Sequence, residues 1–318
     1  MKTKRILALV LSALMAFTLL SACNGDSNPA TENPGDKGAI GFSVYDMQYE
    51  FFQSMEAGTK GRIEELGYEY KLHDQKSSET EMVNGAINLI NQGIKALIIS
   101  PCKPEALSSI VTAAKEKEIP VIVDDIGGGG ADYDAIVISD CYHGGELAAE
   151  YAAELLAGKE GSNVAIIKCE PEAVYAIRRG EGFKAKITAA GFSVVEELSG
   201  HSKKEEGYSN MQDLLSSHPD LTAVFCENDS MAVGAANAAA DAGRDDIIII
   251  GFDGDDQAID AMKAGIMAGT VAQDPAGMGK VTVDLAHTLL TGGTLTYDNP
   301  SEREIFAEVK LIKATEVQ

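Results

Sequence analysis

Short β-rich runs alternating with longer stretches of helical period predict an α/β protein made of two doubly wound parallel-sheet lobes joined by a multi-strand hinge. The alternation begins at Ala39, and that order of elements places parallel strands under helices on both faces. The same series repeats in the second half of the chain, which makes the two lobes similar. Ala96-Leu97-Ile98-Ile99 and Ile247-Ile248-Ile249-Ile250 are almost continuously apolar, as central strands buried on both faces must be.

In the first series the expected strands are Ala39–Val44, Glu69–Leu72, Ala96–Ser100, Val121–Asp125 and Ala135–Ser139. Between them Phe51–Leu66, Glu79–Gln92 and Glu105–Lys117 have amphipathic helical spacing and stop near Gly67, Gly93 and Pro120. The second series has strands at Asn163–Lys168, Ser193–Leu198, Ala223–Glu227, Ile247–Asp253 and Gly269–Gln273. Its helices are Phe183–Ala190, Glu206–Ser217, Ser230–Ala242 and Asp256–Ala264. A last helix, Met278–Leu290, and a strand around Ile305–Leu311 finish the chain. The expected lobes are 38–139 with 274–300 and 140–273 with 301–318, crossing near Ser139–Asp140, Gln273–Asp274 and Asn299–Pro300.

The N-terminus reads as an export signal over 1–22. Lys2, Lys4 and Arg5 precede an uncharged apolar run from Ile6 to Leu20, about fifteen residues against the roughly twenty of a spanning helix. Leu20-Ser21-Ala22-Cys23 looks like a bacterial lipobox, which implies that Cys23 is lipidated, and 23–37, with Pro29, Pro34, Gly25 and Gly35, reads as a flexible tether. The net charge of −23 becomes about −26 without the leader, a balance that repels phosphate backbones and argues against nucleic acid as a partner. Some ~280 residues remain, more than one hydrophobic core usually serves. Cys102, Cys141, Cys169 and Cys226 have no metal-ligand spacing and read as free thiols, with Cys169–Cys226 the one disulfide to check.

In open α/β sheets ligands sit beyond the carboxyl ends of the strands, so those residues are the candidate site. The first strand is followed by Tyr45, Tyr49, Phe51 and Phe52, a concentration of rings in a chain that is 6% aromatic. Aromatic faces suit the C–H side of a sugar or polyol, and one of Phe51 and Phe52 is expected to pack inward instead. Asp124-Asp125 and Asp253 end apolar strands, and ionised carboxylates accept charge-assisted hydrogen bonds from ligand hydroxyls, although a carboxylate there can also cap the next helix. Asn228 and Gln273 end two more strands with side chains that both donate and accept.

Several of these segments resemble the ribose/galactose-type (type I) periplasmic binding proteins of sugar ABC importers. The resemblance spans Ala39–Leu311 and rests on Phe51-Phe52, Pro120-Val121-Ile122 before Asp125, and Ser139-Asp140 with Gly144-Gly145. Arg179-Gly180-Glu181-Gly182-Phe183, Ala223-Val224-Phe225 with Asn228-Asp229 and Met231-Ala232, and Gly251-Phe252-Asp253 extend it. It implies ligand positions at Phe51, Phe52, Asp125, Asn228, Asp253 and Gln273. Tyr49-Glu50 stands in place of Asn-Pro, Ile126 and Ile177 fall where two arginines are expected, and Ser202 replaces an aromatic. Arg178 lies one residue from the second arginine position and is therefore also a candidate. With both arginine clamps lost, the expected ligand is a neutral sugar or polyol.

The resemblance implies an extracytoplasmic lipoprotein, a monomer that closes on its ligand and delivers it to an ABC permease with its ATPase. A lipid-anchored sugar or autoinducer sensor is the alternative. An enzyme is not expected: Gly127-Gly128-Gly129-Gly130 lacks the Lys-Ser/Thr of a phosphate loop, and there is no Gly-x-Ser-x-Gly elbow. His73, His143, His201, His218 and His287 are scattered, so neither metal nor cofactor is expected. A sugar-responsive repressor would need a basic headpiece where the leader stands.

Overall fold

The computed structural model describes residues 37–317 apart from 160 and 172. The leader, Cys23 and all of the tether except Lys37 lie outside the described residues. Two six-stranded sheets form with one and the same strand order. The first contains β1 (Ala39–Val44), β2 (Glu69–Asp74), β3 (Ala96–Ile99), β4 (Val121–Asp124), β5 (Ala135–Ser139) and β11 (Glu304–Ala307), in the order β11-β5-β4-β3-β1-β2. The second contains β6 (Asn163–Lys168), β7 (Ser193–Ser199), β8 (Leu221–Cys226), β9 (Ile248–Asp253), β10 (Gly269–Ala272) and β12 (Lys310–Lys313), in the order β12-β10-β9-β8-β6-β7. Every strand pair is parallel except β10 with β12.

Helices cover both faces of each sheet. The first lobe carries α1 (Glu50–Glu65), α2 (Glu79–Asn91) and α3 (Leu107–Lys115), joined by the late helix α9 (Pro275–Leu290), which packs on α1. The second carries α4 (Cys141–Leu155), α5 (Val174–Ala189), α6 (Lys204–Ser217), α7 (Asp229–Asp241) and α8 (Asp256–Lys263). Each sheet separates two apolar clusters, so both strand faces are buried, as the continuous runs in β3 and β9 demand. Burying those faces is the main favourable term, at about 25 cal/mol per Å² of apolar surface.

Three expectations change. Cys141–Leu155 is a helix that the apolar pattern does not announce, because Gly144-Gly145 lowers helix propensity by about 1 kcal/mol per glycine. The glycines answer a packing need: a β-carbon on Gly145 would lie 2.0 Å from the carbonyl oxygen of Arg179, and one on Gly182 would lie 2.1 Å from that of Tyr142. This close crossing of α4 and α5 seats α5, which starts at Val174 and not at Phe183. The assignment of 301–318 to the second lobe is also corrected. Glu304–Ala307 pairs with β5 in the first sheet, and only Lys310–Lys313 joins the second. Ile305–Leu311 is therefore two strands broken at Glu308-Val309, and the third crossing lies there. All four described cysteines are free thiols.

Candidate functional site

The carboxyl ends of the strands carry the candidate residues, and the backbone there is strained in both lobes. Asp125, just past β4, has φ +67°, and Asp253, the last residue of β9, has φ +125°. Non-glycine residues in such conformations cost on the order of 1–3 kcal/mol and persist where the surroundings hold them. For Asp253 the holder is the buried Asp229 carboxylate, which accepts from the backbone N–H of Gly254 and Asp255, both at 2.8 Å, and from Thr270 Oγ1 at 2.7 Å.

Asp253 lies in a finished network. Its Oδ1 accepts from Arg179 Nη1 at 2.9 Å and from Gln273 Nε2 at 2.8 Å. Arg179 Nη1 also donates to the Glu227 carbonyl at 2.7 Å, and its guanidinium stacks 4.0 Å from the Phe252 ring centroid. Gln273 Oε1 accepts from Ser139 Oγ of the first lobe at 2.7 Å, so a chain of hydrogen bonds runs from the β5 crossing into the cleft. Arg179 Nε and Glu227 Oε1 are buried without partners among the described residues. Burial pushes Glu227 up to about 7 and raises Asp253, against which Arg179 pulls back.

The first-lobe carboxylates separate. Asp124 is fully buried with neither oxygen bonded among the described residues, and burial holds its pKa well above the usual carboxylate range. Asp125 faces the cleft, where burial pushes it up to about 6 despite the charge of Arg179. Arg179 and Asp253 belong to the other lobe, so these three groups meet electrostatically across the cleft.

Tyr45, Tyr49, Phe51 and Phe52 form one ring cluster. Tyr45 and Phe52 stack at 4.9 Å, Phe51 meets Phe52 edge-on at 5.2 Å, and Tyr49 meets Tyr45 edge-on at 6.3 Å. Phe52 is the inward ring at 8% exposure, Phe51 is partly buried, and Tyr49 is 49% exposed. Glu50 beside them contributes, after burial, Asp253 and Asp256, to pushing Asp255 up to about 6, which places this loop opposite the end of β9.

Two candidates are otherwise occupied. Asn228 caps α7, its Oδ1 accepting from Met231 N at 2.9 Å. Arg178 forms a two-pronged ion pair with Glu304 of the first lobe, at 2.9 and 3.1 Å. The arginine that sequence reasoning missed is Arg179. Arg178 and Arg179 both lie within about one turn of Tyr175 on α5, so helical spacing alone does not separate them. The premise that the cleft has lost its arginines is therefore corrected.

Residues 40–294 match the family model of the periplasmic binding protein domain. The chain belongs to that family. It is 33% identical over 294 residues to the ribose import binding protein of Bacillus subtilis, spanning 91% of this chain and 94% of the relative. It is 29% identical over 303 residues to the D-apiose import binding protein of Paraburkholderia graminis, spanning 92% and 90%. Among solved structures, the periplasmic ribose ABC transporter protein of Conexibacter woesei superposes with a TM-score of 0.81 at 25% identity, covering 90% of this chain and 95% of that one. An ABC transporter solute-binding protein of Bacillus halodurans with bound myo-inositol gives 0.71 at 28% identity, covering 89% and 96%. The two-lobed, parallel-sheet architecture is thus that of the type I periplasmic binding fold.

Proposed function

We propose that this chain captures a neutral sugar or polyol between its lobes and presents it to an ABC permease and its ATPase. The observation that carries this reading is the convergence of Asp125 from the first lobe with Asp253, Arg179 and Gln273 from the second. Carboxylates accept and the amide and guanidinium donate, a set suited to several hydroxyl groups on one small ligand. Rings at Tyr45, Tyr49 and Phe51 supply an apolar face.

Neutrality of the ligand now rests on pairing and not on missing arginines. Arg179 is matched by Asp253 and Arg178 by Glu304, so neither offers an uncommitted positive charge to a carboxylate or phosphate. Ligand contacts from both lobes would stabilise a closed form and so shift the population toward it. The protein acts as a monomer, outside the cytoplasm, held to the membrane through lipid on Cys23. Mass spectrometry of the mature N-terminus is expected to find a lipidated Cys23, and an unmodified residue there would exclude the anchor.

A thermal-shift screen across neutral sugars, polyols and sugar acids tests the ligand class. A neutral ligand at a hundred times its Kd is expected to add about 2.7 kcal/mol of stability. Stabilisation by sugar acids alone would overturn the reading.

A further inference from the structure

One flank of the cleft is larger than a single sugar ring needs. A cavity of about 970 Å³ opens beside Asp125 and Arg179 and continues past Tyr133 and Tyr175. That is the upper end of the range of about 300–1,000 Å³ that encloses drug-sized ligands. Gly127-Gly128-Gly129-Gly130 line its wall, where Tyr133 packs so closely on Gly128 that a β-carbon there would lie 1.9 Å from the ring and the Tyr175 hydroxyl lies 3.4 Å from the β-carbon position of Gly127.

Two features shape this flank. Arg178 on α5 and Glu304 on β11 already bridge the lobes at this flank through both terminal guanidinium nitrogens, and Asn299 Nδ2 donates to the same carboxylate at 2.8 Å. The Glu304 side chain is 2% exposed, so the strut is well shielded from solvent. Tyr175, held by the Arg178 guanidinium 4.9 Å from its ring centroid, faces the opening, and its hydroxyl has no hydrogen-bond partner among the described residues. Burial raises that hydroxyl's pKa, which keeps it a neutral donor.

We propose that the ligand is a glycoside, a sugar whose ring is held by Asp125, Arg179 and Asp253 and whose glycosidic oxygen carries a second ring into the flank beside Tyr175. The inference rests on the sugar-capture reading of the same cleft. The second ring comes from one of two sources, an aromatic aglycone packing on Tyr175 or a second sugar bonding its hydroxyl, and the ring and the free O–H of Tyr175 serve either.

Calorimetry on the full chain, with free sugars, their phenyl glycosides and the corresponding disaccharides, tests this. At least one of the two ring-bearing series is expected to bind tenfold or more tightly than its free sugar. In Tyr175→Ala the ratio of free-sugar to glycoside Kd is expected to fall at least fivefold, and taking the ratio cancels any general effect on lobe closure. Val174→Trp narrows the same flank from a position 60% exposed, where folding is not at risk, and is expected to lower the ratio likewise. Tight binding of a free sugar with both ring-bearing series tenfold weaker would overturn the glycoside while leaving sugar capture intact. Binding of neither kind would overturn both.

Discussion

The first lobe meets the cleft with three rings and one carboxylate that has no hydrogen-bond partner of its own among the described residues, whereas the second meets it with a carboxylate that already holds an arginine and an amide. The two sheets have the same strand order, and Asp125 and Asp253 occupy matching strand ends at positive φ. The same position therefore does opposite work. Asp253 is satisfied before ligand arrives and holds Arg179 in place. Burial raises both carboxyls, but Asp125 has no hydrogen-bond partner among the described residues, so the folded protein carries an unfavourable charge there that a ligand hydroxyl would relieve.

The sharpest way to break this contrast is to remove each aspartate. Asp253→Ala leaves Arg179 buried without its counter-ion, and losing one member of a buried pair costs about 3–5 kcal/mol. Urea denaturation is expected to show that loss together with abolished binding, and Arg179→Met in the same chain should recover part of the stability. An Asp253→Ala protein as stable as the parent would mean the second-lobe network is not self-supporting.

Asp125→Asn is expected to act with the opposite sign on the free protein. The pKa of Asp125 is about 6 folded against 3.8 in the unfolded chain, so its contribution is fully present below about pH 4 and is lost as pH rises through 6. The substitution removes that titration, so above pH 7 it should stabilise the unliganded protein by on the order of 1–3 kcal/mol. The advantage should vanish near pH 4. Affinity should fall at the same time by about 1.5–3 kcal/mol, as for a lost charged hydrogen bond. Melting curves at several pH values, paired with calorimetry, read both effects, and a destabilised variant at pH 7.5 would contradict the asymmetry.

The smallest effect sharpens the view of the rings. Tyr49 is half exposed and rests on its neighbours edge-on, so Tyr49→Ala should change stability by no more than about 0.5 kcal/mol. Affinity is still expected to drop severalfold if the exposed ring covers ligand. Unchanged affinity would confine the aromatic contribution to Tyr45 and Phe51.

Much of the architecture was legible because strand burial writes itself into composition. The continuous apolar runs of β3 and β9, the polar residues at their ends and the repetition of the series led from residues to two sheets and to Asp125, Asp253 and Gln273 without coordinates. Asn228 was found by the same logic, yet its side-chain oxygen caps a helix, a use that strand-end position alone does not separate from ligand contact.

What the sequence by itself determined is therefore the local part: which runs are strands, where they end, and which polar groups stand there, since each depends on a residue and its near neighbours. Only the tertiary structure decided the rest. Whether Arg178 or Arg179 turns into the cleft depends on the phase of a helix seated by Gly145 and Gly182 from two different elements. Glu304 entered the first lobe because β5 offered it an open edge far away in sequence, and a few residues of alternating pattern do not encode which edge they will pair. The pKa of Asp125, raised first by burial and tuned by Arg179 and Asp253 of the opposite lobe, and the flank walled by residues of both lobes likewise depend on contacts that no local reading of the chain contains.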